Sequence, residues 1–288
     1  MQMRPSWVDN ALFPFESRYL DLDGHRMHYV DEGQGMPIVF SHGTPEWSFG
    51  WRDLIAPLRG QYRCLAPDLL GMGLSDKPAD ADYSVRAHAE RFEQFVEALG
   101  LEKIHLVAND FGISIALHYA IKHPEKVEKI SLFNGWMWPV NEDPHYAIPA
   151  RMMRGWLGRL LYLKFNFPVN VIMPRAFGDR RKLSKAVHQH YRRALATPAD
   201  RRAAYQFALE LLDATAFWAW EWHQLDAIRH KPFLVFWGMK DSFVPPSELE
   251  KWSTQLTHAE IIRLETAGHF AQEEAPEQMA AAMGRFFG

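Results

Sequence analysis

Three residues able to move protons or form bonds stand directly after apolar runs. Asp110 lies in Leu106-Val107-Ala108-Asn109-Asp110-Phe111-Gly112, Asp241 in Trp237-Gly238-Met239-Lys240-Asp241, and His269 in Thr266-Ala267-Gly268-His269-Phe270. The first run reads as a strand, a tight turn flanked by small residues, and a helix. Such an elbow throws the side chain of its middle residue clear of the backbone at the top of a sheet. A carboxylate there selects its own chemistry. Attack on an ester carbonyl would give a mixed anhydride, a poor route to hydrolysis. Attack on a saturated carbon bearing a leaving group gives an ordinary ester, which water then cleaves. That water needs a base, and His269 is the candidate. The imidazole in turn needs an acidic partner to fix its tautomer and hold its charge, and Asp241 is the candidate for that.

Taken singly, each of these residues has a plainer role. Asp110 reads as the N-cap of the helix that follows it, Asp241 as a turn residue and His269 as a loop histidine. Their shared position at strand ends is what joins them into one catalytic reading. An ester hydrolysed in this way passes through an oxyanion. The backbone N–H groups of Phe111, at the helix start, and of Thr44, in His42-Gly43-Thr44-Pro45, are placed to hold it. Pro45 has no N–H and shapes the loop, while His42 reads as the residue that orders the loop by hydrogen bonding.

The elements that must position these residues follow from periodicity. Arg18 to Leu22 and His25 to Asp31 are joined by Asp23-Gly24, a hairpin signal. Met36 to Ser41 and Tyr62 to Ala66 are short strands. Ser84 opens a helix that Gly100 stops, with Val85, His88, Phe92, Phe95, Val96 and Leu99 near helical spacing. Lys103 to Ala108 is a strand, Phe111 to His123 a helix, and Val127 to Phe133 a strand. Pro232 to Trp237 and Glu260 to Leu264 are the last strands, each followed by a helix, Ser247 to about Leu256 and Glu277 to Phe287. This gives an α/β chain of eight strands, with a mostly parallel sheet covered by helices on both faces.

Between the sixth and seventh strands the pattern breaks. Residues 135–226 read as several helices with Pro breaks and no strand alternation. We expect them to form a helical cap on a core made of 1–134 and 227–288, above the carboxyl ends of the strands, where open α/β sheets place their ligands. From Val140 to Glu221 there are thirteen Lys/Arg against seven Asp/Glu. A solvated outer face is the plain reading of that excess, an entrance attractive to anions the other. Trp136, Trp138, Trp156, Trp218, Trp220 and Trp222 lie in or beside this segment. Most read as packing, and a minority as the lining of an apolar pocket that offers indole N–H groups to a leaving anion.

Composition limits the alternatives. At 48% hydrophobic and 23% charged, the 288 residues can bury a large core. A net charge of −3 gives no global drive toward nucleic acid or an anionic membrane. No run approaches the length of a transmembrane helix. Met1 to Asn10 lacks an apolar signal core, so the cytoplasm is the expected compartment. Cys64 is the only cysteine and reads as buried and inert. Gly71-Met72-Gly73 lacks the third Gly and the strand-to-helix context of a phosphate loop. His188 and His190 face different sides of a helix with no carboxylate or Cys beside them, so they do not suggest a metal site.

Over nearly its whole length the chain resembles the haloalkane dehalogenases of the α/β-hydrolase superfamily. The resemblance rests on Pro14-Phe15-Glu16-Ser17-Arg18, His28 to Gly33, His42 to Phe49, Pro67 to Pro78, the Asp110 elbow, Gly238 to Asp241 and Ala267 to Glu273. It implies the α/β-hydrolase fold, with Asp110 as nucleophile, His269 as base and Asp241 as acid, in that superfamily's chain order. A second place for the acid in this family falls near Asn134, which is not an acid. The implied reaction converts a small apolar haloalkane to alcohol, halide and a proton, with no cofactor or metal. Two departures stand out. Phe111 occupies the place of the family's usual Trp, whose indole N–H binds the departing halide, and Thr44 the place of a frequent Asn. Trp138 or Trp156 would then supply the donor that other members take from the cap. Losing one such donor costs about 2.7–4 kcal/mol if nothing replaces it. Two rivals share the resemblance. One is an epoxide hydrolase with the same triad, which would need ring-protonating hydroxyls from among Tyr146, Tyr162, Tyr191 and Tyr205. The other is a ligand-binding homologue with little turnover.

Overall fold

The computed structural model describes residues 4–288. Met1 to Met3, part of the N-terminal stretch read for a signal core, lie outside the described residues. Among the described residues no helix is long and apolar enough to cross a membrane.

Eight strands form one sheet: β1 (Arg18–Leu22), β2 (His25–Glu32), β3 (Pro37–Ser41), β4 (Arg63–Pro67), β5 (Ile104–Asn109), β6 (Val127–Phe133), β7 (Phe233–Gly238) and β8 (Glu260–Leu264). Their spatial order is β1-β2-β4-β3-β5-β6-β7-β8. The hairpin β1–β2 and the pair β2–β4 are antiparallel, and every later pairing is parallel. Every residue of β5 and β7 is buried, as strands covered on both faces require.

The helices are α1 (Arg52–Leu58), α2 (Val85–Ala98), α3 (Phe111–Lys122), α4 (Pro144–Arg154), α5 (Trp156–Leu163), α6 (Met173–Ala176), α7 (Lys185–Ala194), α8 (Arg202–Asp213), α9 (Thr215–His223), α10 (Pro246–Gln255), α11 (Ala271–Glu274) and α12 (Pro276–Phe287). The strand and long-helix boundaries fall within a residue or two of those read from periodicity. The α2 start is set by Ser84, whose hydroxyl accepts from the Ala87 N–H at 3.2 Å. The short α1, with Pro57 inside it, carried no clear period and was not expected from the sequence. Six helices, α4 to α9, and no strand separate β6 from β7.

The Gly71–Gly73 loop closes around Asp68, which is fully buried and accepts from the N–H groups of Ser48 and Leu74 and from His28. A Cβ at Gly73 would lie 2.1 Å from the Asp68 carboxylate, which explains the glycine without a phosphate. Cys64 is buried, and burial pushes its thiol up to about 12.

Candidate active site

Strand β5 delivers Asp110 into an elbow at φ 51°, ψ −135°, and α3 starts on the next residue. That backbone requires close neighbours without side chains. A Cβ at Gly43 would lie 2.2 Å from Asp110 Oδ1, and one at Gly135 would lie 2.6 Å from the Asp110 nitrogen. Although Asp110 occupies the N-cap position of α3, its side chain makes no capping hydrogen bond. The carboxylate instead turns to two other partners. The Thr44 N–H donates to its Oδ1 at 3.1 Å, and His269 Nε2 lies 3.2 Å from its Oδ2.

His269 follows β8, and its own N–H is tied to the Ala176 carbonyl at 2.8 Å. Its Nδ1 lies 2.8 Å from Asp241 Oδ2. Asp241 is held in turn by the N–H groups of Phe243 at 2.7 Å and Val244 at 3.0 Å, and by the Asn134 amide at 2.9 Å. The side chains of Asp110, Asp241 and His269 are all buried. Burial alone pushes the His269 imidazole down, but Asp241 and Asp110 on either side reverse this and hold it well above the ordinary histidine value.

Behind the elbow lies a second acid. Glu46 is fully enclosed and accepts from the side-chain amides of Asn109, at 2.6 Å, and Gln272. Burial pushes its carboxyl up to about 7. His42 is locked between the Gly43 carbonyl, 2.7 Å from its Nδ1, and the Leu69 N–H, which donates to its Nε2 at 3.0 Å. Both ring nitrogens are committed, so His42 orders the loop and has no free site for proton transfer.

Above Asp110 and His269 is a cavity of about 400 Å³, apolar apart from a few groups. Phe111, Trp136, Tyr146, Tyr162, Phe167 and Phe270 are among its walls. Thr44 Oγ1, Trp136 Nε1 and the Tyr146 hydroxyl are each buried with no hydrogen-bond partner among the described residues. Buried donors without partners are uncommon and call for an explanation. Lining the cavity, these three are placed to donate to a molecule bound there.

Known proteins share this fold. A family profile described as the alpha/beta hydrolase fold matches residues 36–276. Haloalkane dehalogenase 2 of Mycobacterium tuberculosis (strain ATCC 25618 / H37Rv) is 37% identical over 282 residues, 97% of this chain and 98% of that one. The chain belongs to the haloalkane dehalogenase family of α/β-hydrolases. The crystal structure of the haloalkane dehalogenase DbeA from Bradyrhizobium elkani USDA94 superposes with a TM-score of 0.84 at 25% identity, covering 93% of this chain and 96% of that one. A cis-3-alkyl-4-alkyloxetan-2-one decarboxylase of Shewanella oneidensis is 28% identical over 96% of this chain and 90% of its own.

Within this haloalkane dehalogenase family member, two expected halide donors are misplaced by the sequence reading. Trp138 does not line the cavity. Its Nε1 donates to Glu248 at 2.9 Å, and its ring packs against Trp222 and Trp252. Trp156 is 78% exposed at the start of α5 and points to solvent. Phe111 does line the cavity, but its ring packs among Trp136, Phe207 and Trp218 and has no polar hydrogen to offer. Its N–H, at the first residue of α3, is among those a helix leaves without an internal partner. Of the four Tyr named above, Tyr146 and Tyr162 line the cavity, whereas Tyr191 donates to Glu273 at 2.5 Å and Tyr205 to the Met153 carbonyl at 3.1 Å. Trp136 was not singled out as a donor. Its place just past the end of β6, by the strand-end rule that located Asp110, was the available signal. Nothing in the sequence alone marked Glu46 as buried.

Proposed function

We propose that the protein hydrolyses the carbon–halogen bond of small apolar haloalkanes through an ester on Asp110. The observation that carries this reading is a carboxylate, not a hydroxyl, at the elbow, 3.2 Å from an imidazole whose far nitrogen is 2.8 Å from a second carboxylate, all beneath an apolar cavity. The helical segment 135–226 acts as a cap on a core of 1–134 and 227–288, closing that cavity from water.

In the first step Asp110 Oδ2 attacks the saturated carbon in line. The new C–O bond forms as the C–X bond breaks, and the halide leaves with the bonding pair. Thr44 Oγ1, Trp136 Nε1 and the Tyr146 hydroxyl, unpartnered at the cavity wall, receive it. They take over the task that Phe111 cannot perform. In the second step water attacks the ester carbon Cγ while His269 Nε2 accepts its proton. The Thr44 and Phe111 N–H groups hold the oxyanion that forms on Oδ1. Collapse expels the alkoxide, which takes a proton, and the Asp110 carboxylate returns. The sum is haloalkane plus water giving alcohol, halide and a proton.

The protonation of His269 fits this order. In the free protein two carboxylates flank the ring and raise it. Forming the ester removes the charge of Asp110, and with it part of what holds the proton on the ring. The imidazole therefore becomes a better base at the stage where a base is needed.

Epoxide opening is the reading to test beside it, because Tyr146 and Tyr162, two phenols from the helical segment, line the cavity with Asp110. A panel of brominated alkanes and epoxides, scored separately for halide release and diol formation, tests the two. Halide release is expected. Diol formation without halide release would reverse the assignment.

A further inference from the structure

Helices α4 and α5 present two unlike faces. Their inner sides, through Tyr146, Pro149, Ala150, Met153 and Tyr162, line the cavity. Their outer sides place large apolar residues in solvent. Ile148 and Met152 stand four residues apart on α4, Trp156 and Leu160 four apart on α5, with Leu157 and Phe165 beside them. Trp156 is 78% exposed, Met152 65% and Phe165 55%. Scattered single apolar residues on a surface mean little, but six within residues 148–165 mark a surface that meets something apolar.

The charge carried by this segment itself is of one sign. From Pro144 to Gly178 the chain carries Arg151, Arg154, Arg159, Lys164 and Arg175 and no Asp or Glu. Arg154 is paired with Asp213 at 2.5 Å, and Arg175 lines the cavity. Arg151, Arg159 and Lys164 are exposed, and no carboxylate among the described residues pairs with them.

We infer that this face seats the protein on the surface of an anionic lipid bilayer. Trp, Leu, Ile and Met enter the boundary between headgroups and acyl chains, and the three cations meet lipid phosphates. The overall charge of −3 is no obstacle, because attraction to a surface acts within a Debye length and this patch is locally positive. A second copy of the chain fits less well. A two-fold contact centred here sets the patch against itself, cation facing cation, with no acid in the segment to separate them. The inference does not depend on the reaction at Asp110. Its consequence is that the cavity lies under the helices that touch the bilayer, where apolar molecules concentrate.

Co-sedimentation of the full chain with phosphatidylglycerol vesicles tests this, with phosphatidylcholine vesicles for comparison. The protein is expected to sediment with the anionic vesicles and to be released by salt. Two double variants, Met152→Glu with Leu157→Glu and Arg151→Glu with Arg159→Glu, should each weaken binding at least about tenfold. Circular dichroism and unchanged turnover of a water-soluble haloalkane verify that they are folded. Absence of binding to phosphatidylglycerol, or unchanged binding by both variants, would overturn the inference. So would a dimer in solution that the apolar variant dissociates, or retention on immobilised polyglutamate without vesicle binding, which would give the face to an acidic protein.

Discussion

Asn134 donates its side-chain amide to Asp241 Oδ2 at 2.9 Å, the same oxygen that faces His269 Nδ1 at 2.8 Å. The other end of the Asn134 amide accepts the Gly238 N–H at 2.9 Å. One residue just past the end of β6 therefore ties Asp241 to the strand beside it. Asn134→Ala leaves a buried N–H without a partner and frees the Asp241 carboxylate to turn. We expect a stability loss of about 1–3 kcal/mol, measured by denaturant unfolding. Single-turnover kinetics should show slower ester hydrolysis with ester formation little changed. Equal slowing of both steps would mean that Asn134 acts on something other than the Asp241–His269 pair.

The leaving-group donors can be tested by deletion and rescue. Trp136→Phe keeps the ring and removes the unpartnered N–H. Halide release should fall about 10²-fold or more, by analogy with deletion of one oxyanion donor. Adding Phe111→Trp to that variant places an indole N–H directly after the nucleophile and should recover part of the loss. A Trp136→Phe variant with wild-type halide release would remove Trp136 from the mechanism.

His269 should titrate differently in the free protein and in the ester. Its imidazole is raised by Asp241 and Asp110 together, and only the first of these stays charged once the ester forms. The acid limb of the ester-hydrolysis rate should therefore lie at lower pH than the titration of the free His269 ring followed by NMR. An acid limb at the same pH or higher would contradict the flanking-charge account.

Glu46 makes stability fall with pH. Burial pushes its carboxyl from the ordinary value of 4.5 up to about 7. A carboxyl raised on folding contributes its stability below the unfolded value and loses it as pH rises through the folded one. The loss therefore spans pH 4.5 to about 7 and amounts to up to about 3 kcal/mol. Glu46→Gln should abolish that slope, since the unpartnered carbonyls of Asn109 and Gln272 can accept from the new amide. Unfolding free energies at pH 5 and pH 8 measure it. A slope unchanged by the substitution would assign it to other groups. His269, also raised, loses its own contribution at higher pH.

Much of this arrangement is readable from the chain because it depends on local signals. Alternation and short apolar runs place the strands, Ser84 and Gly100 bound α2, and the small residues around Asp110 mark the elbow. Asp110, Asp241 and His269 share a rule, the first turn beyond a strand end, that needs no knowledge of tertiary contacts. What was not readable depends on direction. A Trp near a pocket in sequence can aim its N–H at a cavity, at a carboxylate, as Trp138 does toward Glu248, or at solvent, as Trp156 does. Composition cannot separate these. Glu46 and Gln272, 226 residues apart, form a buried pair that only the folded chain brings together. The outer face of α4 and α5 has the same residue types as an ordinary packed helix, and only its exposure distinguishes it.

A covalent bond between substrate carbon and Asp110 is detected by mass spectrometry of the His269→Ala variant after incubation with a bromoalkane. Without its base the ester should form and persist. The peptide containing Asp110 should be heavier by the alkyl group, and Asp110→Ala in the same background should abolish the adduct. Halide release with no alkylated peptide, or an adduct on any other residue, would contradict the account.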